Sequence, residues 1–272
     1  MTRVTAADAG WDLLNVEVRR FEAGESWSGE TEDCESAFVM LRGRADFRTS
    51  AGNFANVGRR PDVFSGMPWA VYLSRDTSFT LESERGCEIA RCWVPTDEEH
   101  PARLVTPADS EVEIRGGNNA TRQINSIIAP GFDCHRIVAC EVYTPGGNWS
   151  SYPPHKHDVH REDEDGVVLE ADLEEVYFYK IRGRNGYAIQ RVYTADGALD
   201  FVGVAHDNDV ILVPEGYHPV SAAYGYDCYY LNFLAGSAQS LANADDPDHA
   251  WVKQTWDRQD PRLPMVTHAM ER

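Results

Sequence analysis

Two histidines stand one residue apart behind a Pro-Pro step, in Tyr152-Pro153-Pro154-His155-Lys156-His157-Asp158. In an extended strand, residues i and i+2 share a face. His155 and His157 therefore aim two imidazoles at one point, and Lys156 turns away. Two further ligand types follow, a carboxylate in Glu174-Glu175-Val176-Tyr177-Phe178-Tyr179 and an imidazole after a turn in Val213-Pro214-Glu215-Gly216-Tyr217-His218. Three imidazoles and one carboxylate suit a divalent metal, one per chain. Zinc or manganese fits, and the set leaves iron, nickel and cobalt open. If Glu175 opens a strand, Tyr177 and Tyr179 share its inward face, where a phenol can pass a proton or hold a sugar hydroxyl. Val176 and Phe178 would then face outward, against a second layer or a partner chain. The late run Asp227 to Phe233 offers Tyr230 and Asn232 on one face.

The elements that must position these groups are short. Runs rich in Val, Ile, Tyr and Phe recur at Asn15 to Arg20, Ala37 to Leu41, Trp69 to Leu73, Ile89 to Val94, Ile137 to Tyr143, Glu175 to Ile181, Tyr187 to Tyr193, Val210 to Val213 and Cys228 to Leu234. Gly, Pro, Asn and Asp break them, and no long amphipathic helix stands out. This pattern predicts an all-β sandwich or barrel. The ligand order His-x-His, Glu, then a distant His after a Pro-x-Gly turn is that of cupin barrels.

An internal repeat divides the chain. Gly24-Glu25-Ser26-Trp27-Ser28-Gly29 matches Gly146-Gly147-Asn148-Trp149-Ser150-Ser151, Glu35 to Arg44 matches Glu175 to Arg184, and Pro68 can be laid on Pro214. The reading is a bicupin of two jelly-roll units: 1–114 without metal ligands, 115–242 with the site, and a tail, 243–272, that packs on the body or on a neighbouring subunit. In the alignment His155 falls on Asp33 and His218 on Tyr72, so the first copy has no metal. Arg42 and Arg44 stand where Arg182 and Arg184 do, which gives all four a place in a strand-connecting turn. The second copy carries extra residues between His157 and Glu175. This acidic, Gly-broken stretch is expected to be a loop at the mouth of the site, either a lid or simply solvated. It is not a calcium loop of the EF-hand type, because Arg161 would fall at the first ligand position.

Composition bounds the rest. With 25 Lys and Arg against 44 Asp and Glu, the net charge is -19. This argues against nucleic acid and anionic membranes as partners, and it requires a local basic pocket for any anionic substrate. No apolar run reaches membrane-spanning length, and the first residues lack an apolar signal core, so a cytoplasmic protein is expected. Cys34, Cys87, Cys92, Cys134, Cys140 and Cys228 are dispersed, as buried thiols would be.

The segments Thr144 to Asp158, Glu174 to Tyr179, Val213 to Val220 and Tyr229 to Asn232, with Arg115-Gly116-Gly117-Asn118, resemble the 5-deoxy-glucuronate isomerase family of bacterial myo-inositol catabolism. The resemblance covers nearly the whole chain. It implies His155, His157, Glu175 and His218 as metal ligands and an aldose–ketose isomerisation of 5-deoxy-D-glucuronate to 5-dehydro-2-deoxy-D-gluconate. Tyr177, Tyr179 and Tyr230 are the candidate catalytic groups. The substrate would be a sugar acid whose carboxylate needs a cation, with Arg122, Arg136 and Arg191 as unranked candidates and Asn232 as a further contact. A homo-oligomer is expected. The related 4-deoxy-uronate isomerases of pectin breakdown share the ligand set with a shorter gap before the Glu. A non-haem iron dioxygenase and a non-enzymatic sugar-binding protein are the competing classes.

Overall fold

The computed structural model describes residues 2–271. It is all-β: each of the nine apolar runs is a strand, from Asn15–Phe21 to Cys228–Gly236, and the one α-helix among the described residues is Ala6–Ala9. No helix is long and apolar enough to cross a membrane. All six cysteines are buried, and none forms a disulfide.

The chain forms two compact units, one of residues 1–111, 126–137 and 266–272, the other of 112–125 and 138–265. The chain passes between the two units four times, and residues 243–265 of the tail belong to the second unit. Two main sheets make each unit. In the first, Asn15–Phe21, Cys87–Pro95, Cys34–Gly43 and Ala70–Leu73 are antiparallel neighbours in that order. Ser26–Glu30, Ser78–Glu82, Ala45–Thr49 and Gly52–Val57 form the facing sheet. Phe38, Met40 and Ile89 of one sheet meet Phe47, Phe79 and Leu81 of the other in one apolar core.

The second unit repeats this ladder. Val138–Thr144, Cys228–Gly236, Val168–Ile181 and Val210–Val213 run as antiparallel neighbours. The facing sheet orders Trp149–Ser150, Val220–Ala222, Ala188–Tyr193 and Asp200–Ala205. Its interior holds Tyr177, Tyr179 and Tyr230 among Val192, Val213 and Val220. Tail residues pack on this unit: the Asn118 amides donate to Arg258 O at 2.7 Å and Thr255 O at 2.9 Å. Trp256 covers Gly117, where a Cβ would lie 2.4 Å from the Trp256 Cβ.

The ladder corrects the repeat by one residue. Ser36 opposes Leu73 as Glu175 opposes Val213, so Ser36, not Glu35, occupies the Glu175 position. A one-residue slip sends every side chain to the other face. Eight successive residues, Cys34 to Leu41, are buried, so hydrophobicity carries no parity signal there. Tyr72 likewise sits inside the strand that matches Val210–Val213, not beyond it, and is no counterpart of His218. Glu35 has a different role. Its fully buried carboxylate accepts the Tyr72 hydroxyl at 2.8 Å and the backbone N–H groups of His135, Arg136 and Ile137 at 2.9, 2.7 and 3.0 Å.

Removing that carboxylate strands four buried donors. Glu35→Ala should therefore cost about 3–5 kcal/mol in urea unfolding. A loss below about 1 kcal/mol would mean that the donors find other partners.

Candidate metal centre

Glu175, Tyr177 and Tyr179 project from one face of Val168–Ile181, opposite Leu234, Asn232 and Tyr230 of the neighbouring strand. Strand alternation makes this face polar by design of sequence: Tyr177, Tyr179 and Tyr230 line the interior, and Val176 and Phe178 are buried on the other side within the chain, so no partner chain is needed to cover them. His155-Lys156 is a two-residue strand paired with Ala244–Asp245, with His155 opposite Asp245. The Asp246 N–H donates to Pro154 O at 2.8 Å, and the Asp246 carboxylate accepts the Tyr193 hydroxyl at 2.5 Å. Lys156 is drawn away from the site by Asp158 and by Glu170 at 2.7 Å.

His218 follows the Pro214-Glu215-Gly216 turn. Gly216 has φ +81°, and a Cβ there would fall 2.4 Å from Tyr193 O. Its N–H donates to Asp158 Oδ2 at 2.8 Å, and its carbonyl accepts His218 Nδ1–H at 2.9 Å. The turn thus sets both the position and the tautomer of the ring.

These elements bring His157, Glu175 and His218 together, with one ligand atom of each within 4.8 Å of the others. His157 Nε2 and His218 Nε2 lie 2.9 and 3.3 Å from the same oxygen, Glu175 Oε2. His157 Nδ1 meets Leu173 O at 3.2 Å. His218 Nε2 is shut off from water with no hydrogen-bond partner. The His155 ring lies beside the group, 5.0 Å from His218 between centroids, and the backbone of Pro153 bonds it. Each imidazole thus has a backbone hydrogen bond, with Leu173 O at His157 Nδ1, with Gly216 O at His218 Nδ1 and with the Pro153 backbone at His155, an arrangement that suits a metal-bound histidine. A buried carboxylate oxygen facing imidazole lone pairs fits a cation.

The charges agree. Burial, then His218 and Arg122, push His155 well below its ordinary pKa. Burial outweighs Glu175 and takes His218 down to about 4. Both rings are thus neutral at pH 7. Burial opposes a charged His157 too, but the hydrogen bond and charge of Glu175 win and raise it. His157 must then give up a proton to bind metal.

The tyrosines form a cluster beside this group. Tyr177 lies 4.7 Å from Tyr230 and 6.0 Å from His218 between ring centroids. The Tyr179 hydroxyl donates to Gln190 Oε1 at 2.7 Å. The Tyr230 hydroxyl shares a hydrogen bond with Ser150, and Tyr177 with Ser151 at 3.3 Å. Burial pushes the Tyr230 phenol up to about 12, against the pull of Arg122 and the serines, and raises Tyr177 and Tyr179 well above the ordinary value. All three are O–H donors at neutral pH.

The structure separates the other candidates. Arg122 is buried on the same inward parity as Ile124, and Asn232 Nδ2 lies 3.4 Å from Val176 O. Arg191 is on the outward parity of Ala188–Tyr193, clamped to Asp200 at 2.8 and 3.0 Å and stacked over Tyr193, so it does not face the interior. Arg136 belongs to the other unit, where its backbone N–H serves Glu35. Arg182 pairs with Asp227 at 3.1 Å in its turn. His160 bonds Ser237 and Glu162, and His206 bonds Asp209, outside the centre. Ser150, Ser151 and Gln190 escaped sequence reading. The serines adjoin the His-x-His stretch, but only the strand parity of Gln190 could have revealed it.

The stretch between His157 and Glu175 is also corrected. It is a hairpin, not a loop: Asp158–Glu162 pairs with the start of Val168–Ile181 around a turn at 163–167. Val167, Val168 and Leu169 supply strand-forming residues. The Asp163 carboxylate binds the turn N–H groups of Asp165 and Val167 at 3.0 and 2.9 Å, and Arg161 pairs with Glu170 at 3.0 Å.

The model of the KduI/IolB family matches residues 1–252. A 5-deoxy-glucuronate isomerase of Geobacillus kaustophilus (strain HTA426) is 40% identical over 256 residues, 94% of this chain and 91% of that protein. The one of Bacillus subtilis (strain 168) is 33% identical over 252 residues, 92% and 91% of the two chains. The crystal structure of an IolB-like protein from Salmonella typhimurium LT2 superposes with TM-score 0.88 at 33% identity, over 92% of this chain and 94% of that one. An oxalate decarboxylase of Bacillus subtilis, 13% identical with TM-score 0.62 over 89% and 74%, shares the cupin-like fold.

Zinc titrated into chelator-stripped protein near pH 6 should release about one proton, read from how the binding enthalpy varies with buffer ionisation enthalpy. Glu175→Ala and His157→Ala should each lose the metal equivalent by elemental analysis while the β-type circular dichroism persists. Full metal retention in either variant would break the ligand assignment.

Proposed function

The chain belongs to the KduI/IolB family and is an isomerase, and from that premise we propose that it converts 5-deoxy-D-glucuronate to 5-dehydro-2-deoxy-D-gluconate with one divalent metal, zinc or manganese, held by His157, Glu175, His218 and the adjoining His155. The observation that carries this reading is the buried Glu175 oxygen facing two imidazoles, beside three protonated phenols. The name of the curated relatives supports the substrate.

In this reaction the proton on the hydroxyl-bearing carbon beside the aldehyde leaves and returns at the former aldehyde carbon, through an enediolate. When bound, the metal supplies a Lewis acid that polarises the carbonyl and favours loss of that proton. The chain's own groups do the rest. Tyr177 and Tyr230 are O–H donors beside the ligand group and can hold oxygens that gain negative charge. Ser150 and Ser151 fix those phenols. Tyr179 is spent on Gln190 and serves to pack and orient the other two rings. The buried surroundings exclude water, which strengthens each of these hydrogen bonds.

Proton NMR of 5-deoxy-D-glucuronate with the enzyme in heavy water should show loss of the aldehyde-form signals and one deuterium in the new hydroxymethyl group. Chelation should abolish both. An unchanged spectrum with metal-replete protein would reject the substrate, and oxygen consumption would move the chain to oxidation chemistry. Tyr230→Phe should lower kcat by roughly 10- to 1000-fold with the metal retained, the cost of one oxyanion donor.

A further inference from the structure

The interior of the second unit contains a cation that nothing answers. Arg122 is 6% exposed, yet among the described residues no hydrogen bond or ion pair meets its guanidinium. The other buried arginine among the described residues is satisfied: Arg60 donates to Met40 O at 2.8 and 3.1 Å and to Gly66 O at 3.3 Å. The nearest carboxylate on the same pair of strands is already taken: Glu113 is held by both forks of Arg115, at 2.9 and 2.7 Å. Arg115 lies directly across the ladder from Arg122, so the Arg115–Glu113 pair leaves Arg122 without a counter-ion.

Its surroundings say where it faces. Arg122 shares inward parity with Ile124, and its charge acts on Tyr230, Tyr177 and His155. These groups line the candidate centre. Lys156 is committed to Asp158 and Glu170, Arg161 to Glu170, and Arg191 to Asp200. A desolvated guanidinium is costly unless something pairs with it, and its planar fork matches a carboxylate with two parallel N–H···O bonds. A chain of net charge -19 also repels anions at long range, so an acidic ligand needs a local cation.

We propose that Arg122 receives the carboxylate of the sugar acid and makes the site selective for uronates over neutral aldoses. The proposal rests on the isomerase reading for the location of the ligand, but it concerns binding and can be tested without turnover. Metal-replete wild type and Arg122→Met would be titrated calorimetrically with D-glucuronate and with its neutral isostere D-glucuronamide. Wild type should prefer the acid, and the variant should bind it roughly 10- to 100-fold more weakly, the value of charge-assisted hydrogen bonds. Affinity for the amide should not change, which also reports an intact fold. Arg122→Lys should recover part of the loss.

Equal binding of acid and amide by wild type, or an undiminished acid preference in Arg122→Met, would overturn the proposal. So would equal loss of both ligands, which would make Arg122 a packing residue. The two readings fail separately. An Arg122-dependent acid preference without isomerisation of 5-deoxy-D-glucuronate would reject the reaction and keep the receptor, whereas isomerisation with the acid preference intact in Arg122→Met would do the reverse.

Discussion

Most of the second unit answers to one constraint: a carboxylate, Glu175, held 4% exposed with imidazoles on the same oxygen. Such a group is tolerable only if every ring around it presents a chosen nitrogen. The choice is made by backbone, because Leu173 and Gly216 carbonyls and the Pro153 backbone each occupy the opposite nitrogen of one ring. Leu173 lies in the ladder and Gly216 in a turn anchored by Asp158, and these carbonyls hold the tautomers of His157 and His218. The left-handed Gly216, the Asp158 contact to its N–H and the Lys156 ties to Asp158 and Glu170 follow from that requirement.

The two units show what building such an interior demands. Both have the same run of antiparallel neighbours, but the first fills its core with Phe, Met and Leu, which ask nothing of one another beyond volume. The second puts phenols in equivalent space, and each hydroxyl then needs a partner: Gln190 for Tyr179, Ser150 for Tyr230 and Ser151 for Tyr177. Polar groups in a core specify geometry only when they are satisfied as a set. Arg122 is the exception to that set, and departures of this kind mark places where a fold has been shaped for something other than stability.

Much of this was legible in the sequence, for physical reasons. Period-two alternation put Glu175, Tyr177 and Tyr179 on one face, and the same rule joined Tyr230 with Asn232. The strands themselves were visible because Gly, Pro and Asp punctuate them. Parity in Cys34 to Leu41 was not legible, since a strand buried on both faces has no alternation to read, and Glu35 was consequently matched to Glu175. The hairpin at 158–172 was masked by its acidic composition, because its stability comes from cross-strand pairs such as Arg161 with Glu170 that no local window contains. The ranking of Arg122, Arg136 and Arg191 was equally out of reach. It depends on which arginines have found a carboxylate in three dimensions.

The pairing of His155-Lys156 with Ala244–Asp245 ties the centre to the order in which the chain is made. The strand that carries His155 is synthesised long before its neighbour, and Asp246, which grips Pro154 and Tyr193, comes later still. A nascent chain that ends short of these residues has the imidazoles but lacks the backbone partner that aligns them. Domains form as their sequence emerges, so the other strands can assemble first, and His155-Lys156 gains its pairing partner only after Ala244–Asp245 has been made. The candidate centre is therefore completed only after the strands of both sheets around it have been made.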